Sequence, residues 1–288
     1  MDFLDNLKLK YAQLDLSGKL VVWVSLTTLL FWLLGYLYNP ITDWFGIPAG
    51  FVPAVLQPWS WFTYGFLHGG IFHLFFNMLV LYFTGQMMLN LFSGRQFLTL
   101  FFTGILAGGF AFTLASGLFT DFFENTLLVG ASAGVYATLF FICSYMPDTP
   151  VRLFFVLNVK LKYLAFALIA LDVFAIVTNT NAGGSVAHLA GAALGYYAAT
   201  RMKEGIDVLE GFAVVGDSIV SFFKSSAKKA PRRGKMKTVY KNQSKTSQTK
   251  PSSNHQQRID GILDKISESG YESLSRDEKD FLFKAGKE

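Results

Sequence analysis

LLVGASAGVYATLFFICSYM, residues 127–146, admits two readings, and the choice between them decides the fold. Its centre, Gly130-Ala131-Ser132-Ala133-Gly134, has the spacing of the strand-to-helix elbow that presents a nucleophile in soluble α/β-hydrolases. That elbow needs a strand before the serine and a sheet around it, and the surrounding sequence offers neither. Read instead as one run of apolar and small residues without a charge, the stretch is long enough to cross about 30 Å of hydrocarbon as a helix.

Five further segments read the same way: residues 19–38, 70–92, 96–119, 161–178 and 184–200. The whole chain of 288 residues is 52% hydrophobic and only 16% charged. A soluble domain carries about a quarter charged residues, so the deficit points to lipid as solvent. The expected fold class is all-α, a polytopic membrane protein with a six-transmembrane-helix bundle and a cytoplasmic C-terminal tail. Residues 19–38 resemble a secretory signal in hydropathy, but the run is long and Asn39-Pro40 follows without a small-residue cleavage pattern, so it is read as a retained first helix. The single cysteine, Cys143, can form no intrachain disulfide and reads as a small apolar filler.

Loop charge tests the count, because cytoplasmic loops collect Lys and Arg. Lys8, Lys10 and Lys19 precede the first span, Arg95 separates the second from the third, Arg152, Lys160 and Lys162 separate the fourth from the fifth, and Arg201 and Lys203 follow the sixth. The loops at 39–69, 120–126 and 179–183 contain no basic residue. This alternation predicts both termini in the cytoplasm and even-numbered helices descending from the outer face.

The expected organisation is a cytoplasmic segment at 1–18, the membrane domain at 19–200, an amphipathic interfacial or partner helix at 201–223, a basic linker at 224–257 and a small helical hairpin at 258–288. Ten Lys or Arg and no acid fall within residues 224–250, a composition suited to a disordered linker, either solvated or laid against anionic lipid. Beyond it, Ile259, Ile262, Leu263 and Ile266 share one helical face, Gly270 offers a stop, and Ser275 with Glu278 forms a capping-box pattern.

Polar groups inside lipid are expensive, and each asks for a reason. His68, His73 and Asn77 open the second span, Ser132 lies early in the fourth and His188 early in the sixth. With a rise of about 1.5 Å per residue, Ser132 and His188 are expected roughly 6 to 10 Å below the outer boundary, and Asp172 on the ascending fifth span at a similar depth. A lone serine in such a helix usually bonds to its own backbone. Gly130, Ser132 and Gly134, like Ala187, Gly191 and Gly195, also fit small-residue helix packing. The two readings cooperate, since a serine reaches a histidine on another helix only where the backbones come close. His73 and Asn77, four residues apart, face the same way. Peptide hydrolysis needs a nucleophile, a base and donors for an oxyanion. Ser132 at a helix start, His188 as base and Asn77 supported by His73 would supply them. Asp172 is the only carboxylate that could orient the base, and a dyad is favoured over a triad.

Three motifs together resemble the rhomboid family: His68-Gly-Gly-Ile-Phe-His73-Leu-Phe-Phe-Asn77, Gly130-Ala-Ser132-Ala-Gly134-Val-Tyr136, and Ala187-His188-Leu-Ala-Gly191-Ala-Ala-Leu-Gly195. The resemblance covers roughly residues 19–200 and implies an intramembrane serine endopeptidase of the bacterial inner membrane with a Ser132–His188 dyad. It further implies an oxyanion hole from His73, Asn77 and the Ser132 backbone, Tyr136 packed on the His188 ring, and a structured first loop around Pro58-Trp59-Ser60-Trp61. Single-span membrane proteins would be the substrates. Three positions depart from the common family pattern: Ser60 after Trp59, Ala133 after the serine, and a position near Asn90, at the cytoplasmic end of the second span, where an acid is usual. The alternatives are an inactive rhomboid-like binder or escort, and an ion path lined by His73, Asn77, Asp172 and His188. The first typically lacks the nucleophile or the base, and the second leaves the serine motif unexplained. No metal or organic cofactor and no nucleic-acid partner is expected: the chain has no Cys/His cluster and no phosphate-cradling loop.

Overall fold

Asp15 opens the first long helix: its carboxylate accepts from the Gly18 backbone N–H at 2.8 Å and from the Ser17 hydroxyl at 2.8 Å, satisfying orphan donors of the first turn. The structure, a computed structural model, describes residues 3–38, 40–153, 156–224 and 254–285. It divides into two units, residues 1–228 and 229–288.

In the first unit a short helix α1 (Phe3–Gln13) precedes α2 (Leu16–Leu37), which stops before Pro40. The first loop folds into α3 (Ile41–Phe45), strand β1 (Ile47–Pro48), α4 (Phe51–Leu56), α5 (Ser60–Thr63) and a turn of 3-10 helix at Tyr64–Phe66. Indole donors tie it together: Trp59 Nε1 donates to the Trp44 carbonyl at 2.7 Å with the two rings stacked at 5.8 Å, and Trp61 Nε1 donates to the Ala54 carbonyl at 3.0 Å. Ser60 is fully buried and donates to the Gln57 carbonyl at 2.7 Å, a place with no room for a longer, charged side chain.

Helix α6 (Ile71–Leu89) follows, then α7 (Gly94–Leu118), which begins with a capping box formed by Ser93 and Gln96. Strand β2 (Leu127–Leu128) pairs antiparallel with β1, Ile47 opposite Leu128 and Pro48 opposite Leu127. Then comes α8 (Ser132–Tyr145), buried on every side from Ala133 to Cys143 except at Tyr136. A hairpin of β3 (Pro150–Leu153) and β4 (Leu157–Lys160) leads to α9 (Leu161–Val177), α10 (Ala182–Lys203) and α11 (Val208–Lys224). Beside the hairpin, hydrogen bonds from the Lys162 and Lys160 ammonium groups, at 2.8 and 3.1 Å, hold the exposed Asp148 carboxyl below its ordinary range.

Two expectations change here. The fourth apolar stretch is helical only from residue 132, because residues 127–128 are committed to the β1–β2 ribbon and Gly130 takes φ +132°, a value that breaks a helix and that side-chain-bearing residues rarely adopt. The helix expected at 201–223 begins at Val208, since α10 continues to Lys203 and Gly205 turns the chain at φ +79°. The basic linker falls mostly outside the described residues.

α8 is the centre of the unit, packed against α6, α7 and α10. Small residues make this possible. A Cβ on Gly104 of α7 would lie 2.6 Å from the Ala137 Cβ, and one on Gly191 or Gly195 of α10 would overlap the carbonyl oxygens of Ala133 or Ala137. The periphery is the reverse of a soluble surface: Trp23, Leu33, Phe72, Phe83, Phe166 and Phe174 are all more than half exposed. Among the described residues, three helices are long and apolar enough to cross a membrane, α2, α6 and α7, and α8 is apolar but shorter.

In the second unit, α12 (Asn254–Ser269) ends at Gly270, φ +77°, and α13 (Arg276–Ala285) starts with Ser275 and Glu278 exchanging backbone hydrogen bonds at 2.7 and 3.3 Å. Lys265 pairs with Glu278 at 3.0 Å across the two helices.

Candidate active site

The chain's approach to Ser132 and α8 is non-helical backbone held by the first loop. Gly130 N–H donates to the Tyr64 carbonyl at 2.9 Å, and Tyr64, itself buried, anchors its hydroxyl on the Ile105 carbonyl at 2.6 Å. Ala131 N–H points at His68 Nε2 at 3.5 Å. The rest of the His68 ring is assigned by its partners. Thr28 donates its hydroxyl to the Phe66 carbonyl at 2.8 Å, so its oxygen accepts from His68 Nδ1 at 3.0 Å and Nε2 is left as an acceptor. Backbone of this kind is tolerated at membrane depth only where protein surrounds it and satisfies its polar groups. Ser132 is then the first residue of α8, where backbone N–H groups lack intrahelical partners and the helix dipole favours negative charge.

Two adjoining cavities, of about 450 and 360 Å³, share Phe72, His73, Ser132, Asn181 and His188 among their walls; Asn77 and Tyr136 line the second. Neither is lined by Asp, Glu, Lys or Arg. A Cβ placed on Gly130 would lie 2.8 Å from His73 Cε1, 3.0 Å from Nε2 and 3.5 Å from Ser132 Oγ, so the His73 imidazole and the serine hydroxyl flank one small space that a glycine leaves open. Asn77 Nδ2 donates one hydrogen to the His73 carbonyl at 2.9 Å, and its second hydrogen remains for the cavity. The His188 ring is stacked on Tyr136, centroids 4.3 Å apart and planes within 15°. Its Nδ1 lies 2.8 Å from Asp172 Oδ1, with the two side chains 14% and 7% exposed.

The structure therefore brings Ser132, His188, His73, Asn77 and Tyr136 to one cavity. His68 and Asp172 stand behind it, the first beneath the Ala131 backbone with its ring edge-on to His73, the second behind the His188 imidazole. Sequence reasoning missed Asn181 and Thr28. Asn181 sits at the N-cap of α10 in a short loop and lines both cavities. Thr28 lies in the middle of an apolar helix, where a threonine ordinarily bonds its own backbone; only the distant partners Phe66 and His68 reveal its role.

A hydroxyl at a helix start, an imidazole on the adjoining helix, and side-chain and backbone donors around the same space are the parts that acyl transfer requires. No curated protein matches the chain. A family of unknown function, DUF6576, matches residues 247–285. The Rhomboid domain model matches residues 55–204, just over half of the chain, with all of the cavity-lining residues inside it. This match, with the apolar helices, identifies the chain as an integral membrane protein belonging to the rhomboid family, whose members are generally intramembrane serine proteases.

Proposed function

We propose that the protein is an intramembrane serine endopeptidase that hydrolyses peptide bonds in or near the membrane segments of single-span proteins, with Ser132 as nucleophile and His188 as base. The observation that carries this reading is the shared cavity: Ser132 at the start of α8 and His188 on α10 face one space, and the His188 ring is fixed there by Tyr136. In the reaction His188 accepts the Ser132 proton as Oγ attacks the scissile carbonyl, then delivers it to the departing amine. The developing oxyanion is met by the Ser132 backbone N–H, the spare Asn77 N–H and His73. Water completes the cycle by hydrolysing the acyl-enzyme.

The six-span arrangement belongs to this proposal, with α2, α6, α7, α8, α9 and α10 as the spans, both termini cytoplasmic and the bacterial inner membrane as location. It rests on the charge alternation of the loops and on α8 being continued toward the outer face by the 127–131 backbone, which pairs with the first loop through β2. Residues 19–200 then form the membrane domain. α11 lies at its cytoplasmic margin, where Leu209 and Ala213 are buried, Glu210 is 3.6 Å from Arg95, and Asp207 accepts from Gln96 at 2.6 Å. The basic run at 224–250 has the charge to meet anionic lipid.

A fluorophosphonate probe tests the assignment most economically. The purified chain is expected to be labelled at Ser132, and the His188→Ala chain is expected to stay unlabelled; a wild-type chain that resists the probe would reject the proposal. Asn77→Ala is expected to remain active at a level reduced by about 10² to 10³, the usual cost of one oxyanion donor. Undiminished turnover would remove Asn77 from the oxyanion hole.

A further inference from the structure

We infer that Asp172 is a positioning residue for the catalytic base, converting the Ser132–His188 pair into a Ser–His–Asp relay within the membrane; this rests on the protease reading given above. The carboxylate and the imidazole come from different helices, α9 and α10, and meet at 2.8 Å between Oδ1 and Nδ1. An ionised carboxylate can only accept, so this contact places the hydrogen on Nδ1 and leaves Nε2 bare, the tautomer that can take a proton from a serine. Tyr136 covers a face of the ring while Asp172 holds its edge, so both the plane and the rotation of the imidazole are defined.

A purely architectural role explains Asp172 poorly. Of the described residues of α9 only Leu161 and Asp172 are buried, and Phe166, Leu171 and Phe174 beside it are each more than 60% exposed. An acid at this depth is costly. Its second oxygen, Oδ2, is buried without a hydrogen-bond partner, and a buried charged pair of this kind is weak evidence of a stabilising role. What the unmatched oxygen does offer is negative charge beside His188, an interaction that strengthens when the imidazole becomes imidazolium in the transition state. Among the described groups around His188, Tyr136 on α8, which also interacts with Asp172, and His73 on α6 are neutral or basic, and no Lys or Arg lines either cavity, so His188 is the group beside the carboxylate that can become a cation in the reaction.

The test uses the full chain in detergent with a single-span model substrate, kcat and KM being measured separately. Asp172→Asn is expected to lower kcat by about 10² to 10⁴, the upper end being the loss seen when the triad aspartate of a soluble protease becomes asparagine. KM should change little. Asp172→Glu, which keeps the charge, is expected to recover at least part of kcat. An Asp172→Asn chain with kcat within twofold of wild type overturns the inference while leaving the protease reading intact. Cleavage that survives Ser132→Ala overturns both. Should the asparagine chain fail to fold, the ¹⁵N resonances of His188 in the wild-type protein decide: a hydrogen on Nδ1 with a bare Nε2 supports the relay, and a bare Nδ1 overturns it.

Discussion

Ser132→Ala is expected to abolish cleavage of a single-span substrate, and His188→Ala to abolish it to the same degree. The reason lies in how the two groups work. The hydroxyl is a weak nucleophile until a base removes its proton, and the base has nothing to activate once the hydroxyl is gone. In a soluble serine protease either loss costs about 10⁶ in kcat, and removing both costs hardly more. The same non-additivity is expected here. The double variant should match the single ones, with residual turnover set by the donors around the cavity. The measurement is gel-resolved cleavage in liposomes, with each variant's melting temperature taken in parallel. The Ser132 side chain makes no hydrogen bond recorded among the described residues, so its truncation should leave stability near wild type. Turnover by Ser132→Ala equal to that of the native chain would end the serine-protease interpretation.

A substitution that adds one methyl group without touching Ser132 or His188 is also expected to be harmful. Gly191 of α10 faces the Ala133 carbonyl of α8 so closely that a Cβ would overlap the oxygen, and the obstacle is backbone, which cannot rotate away. Gly191→Ala must therefore push α10 off α8. The two helices carry His188 and Ser132 within a turn of this contact, and a displacement of about 1 Å in such a pair costs on the order of 10² in rate. Overpacking should also lower stability by about 1 to 3 kcal/mol. Gly195→Ala, which meets the Ala137 carbonyl one turn further on, should behave alike. Gly211→Ala on α11 is the control, since nothing lies within 4 Å of its Cβ position. Thermal unfolding and cleavage assays on the three variants check this. Wild-type values for Gly191→Ala would mean that α8 and α10 do not approach as closely as described.

Much of this arrangement was legible in the sequence, because apolarity and loop charge report on lipid directly. The long helices lie where apolar runs predicted them, and the depth argument brought Ser132, His188, Asn77 and His73 to a common level. What it could not supply was the angle of each helix about its own axis. Asp172 was placed at the right height, but whether it turned toward His188 depends on the rotation of α9, which the evenly apolar sequence of that helix does not encode. The start of α8 was hidden for a different reason. Leu127 and Leu128 are as apolar as any helical residues, and only their pairing with Pro48 and Ile47, some eighty positions earlier, turns them into strand. The β3–β4 hairpin escaped notice because its residues register in sequence only as a basic loop. In the first loop, Pro58-Trp59-Ser60-Trp61 signalled order, and the indole hydrogen bonds that create it became visible only with the carbonyls they reach.

The glycine and alanine face of α10 has a bearing on how the protein is made. A helix surfaced with such residues gains little from hydrocarbon contact, and α10, despite its 22 residues, does not reach the hydropathy of α2, α6 or α7. Its stability comes from the groove that α7 and α8 prepare for it. Chains emerge from the ribosome N-terminus first, so α10 with His188 is made after α8 with Ser132. On the proposed reading, the Ser132–His188 site would be complete only once α10 has docked against α7 and α8.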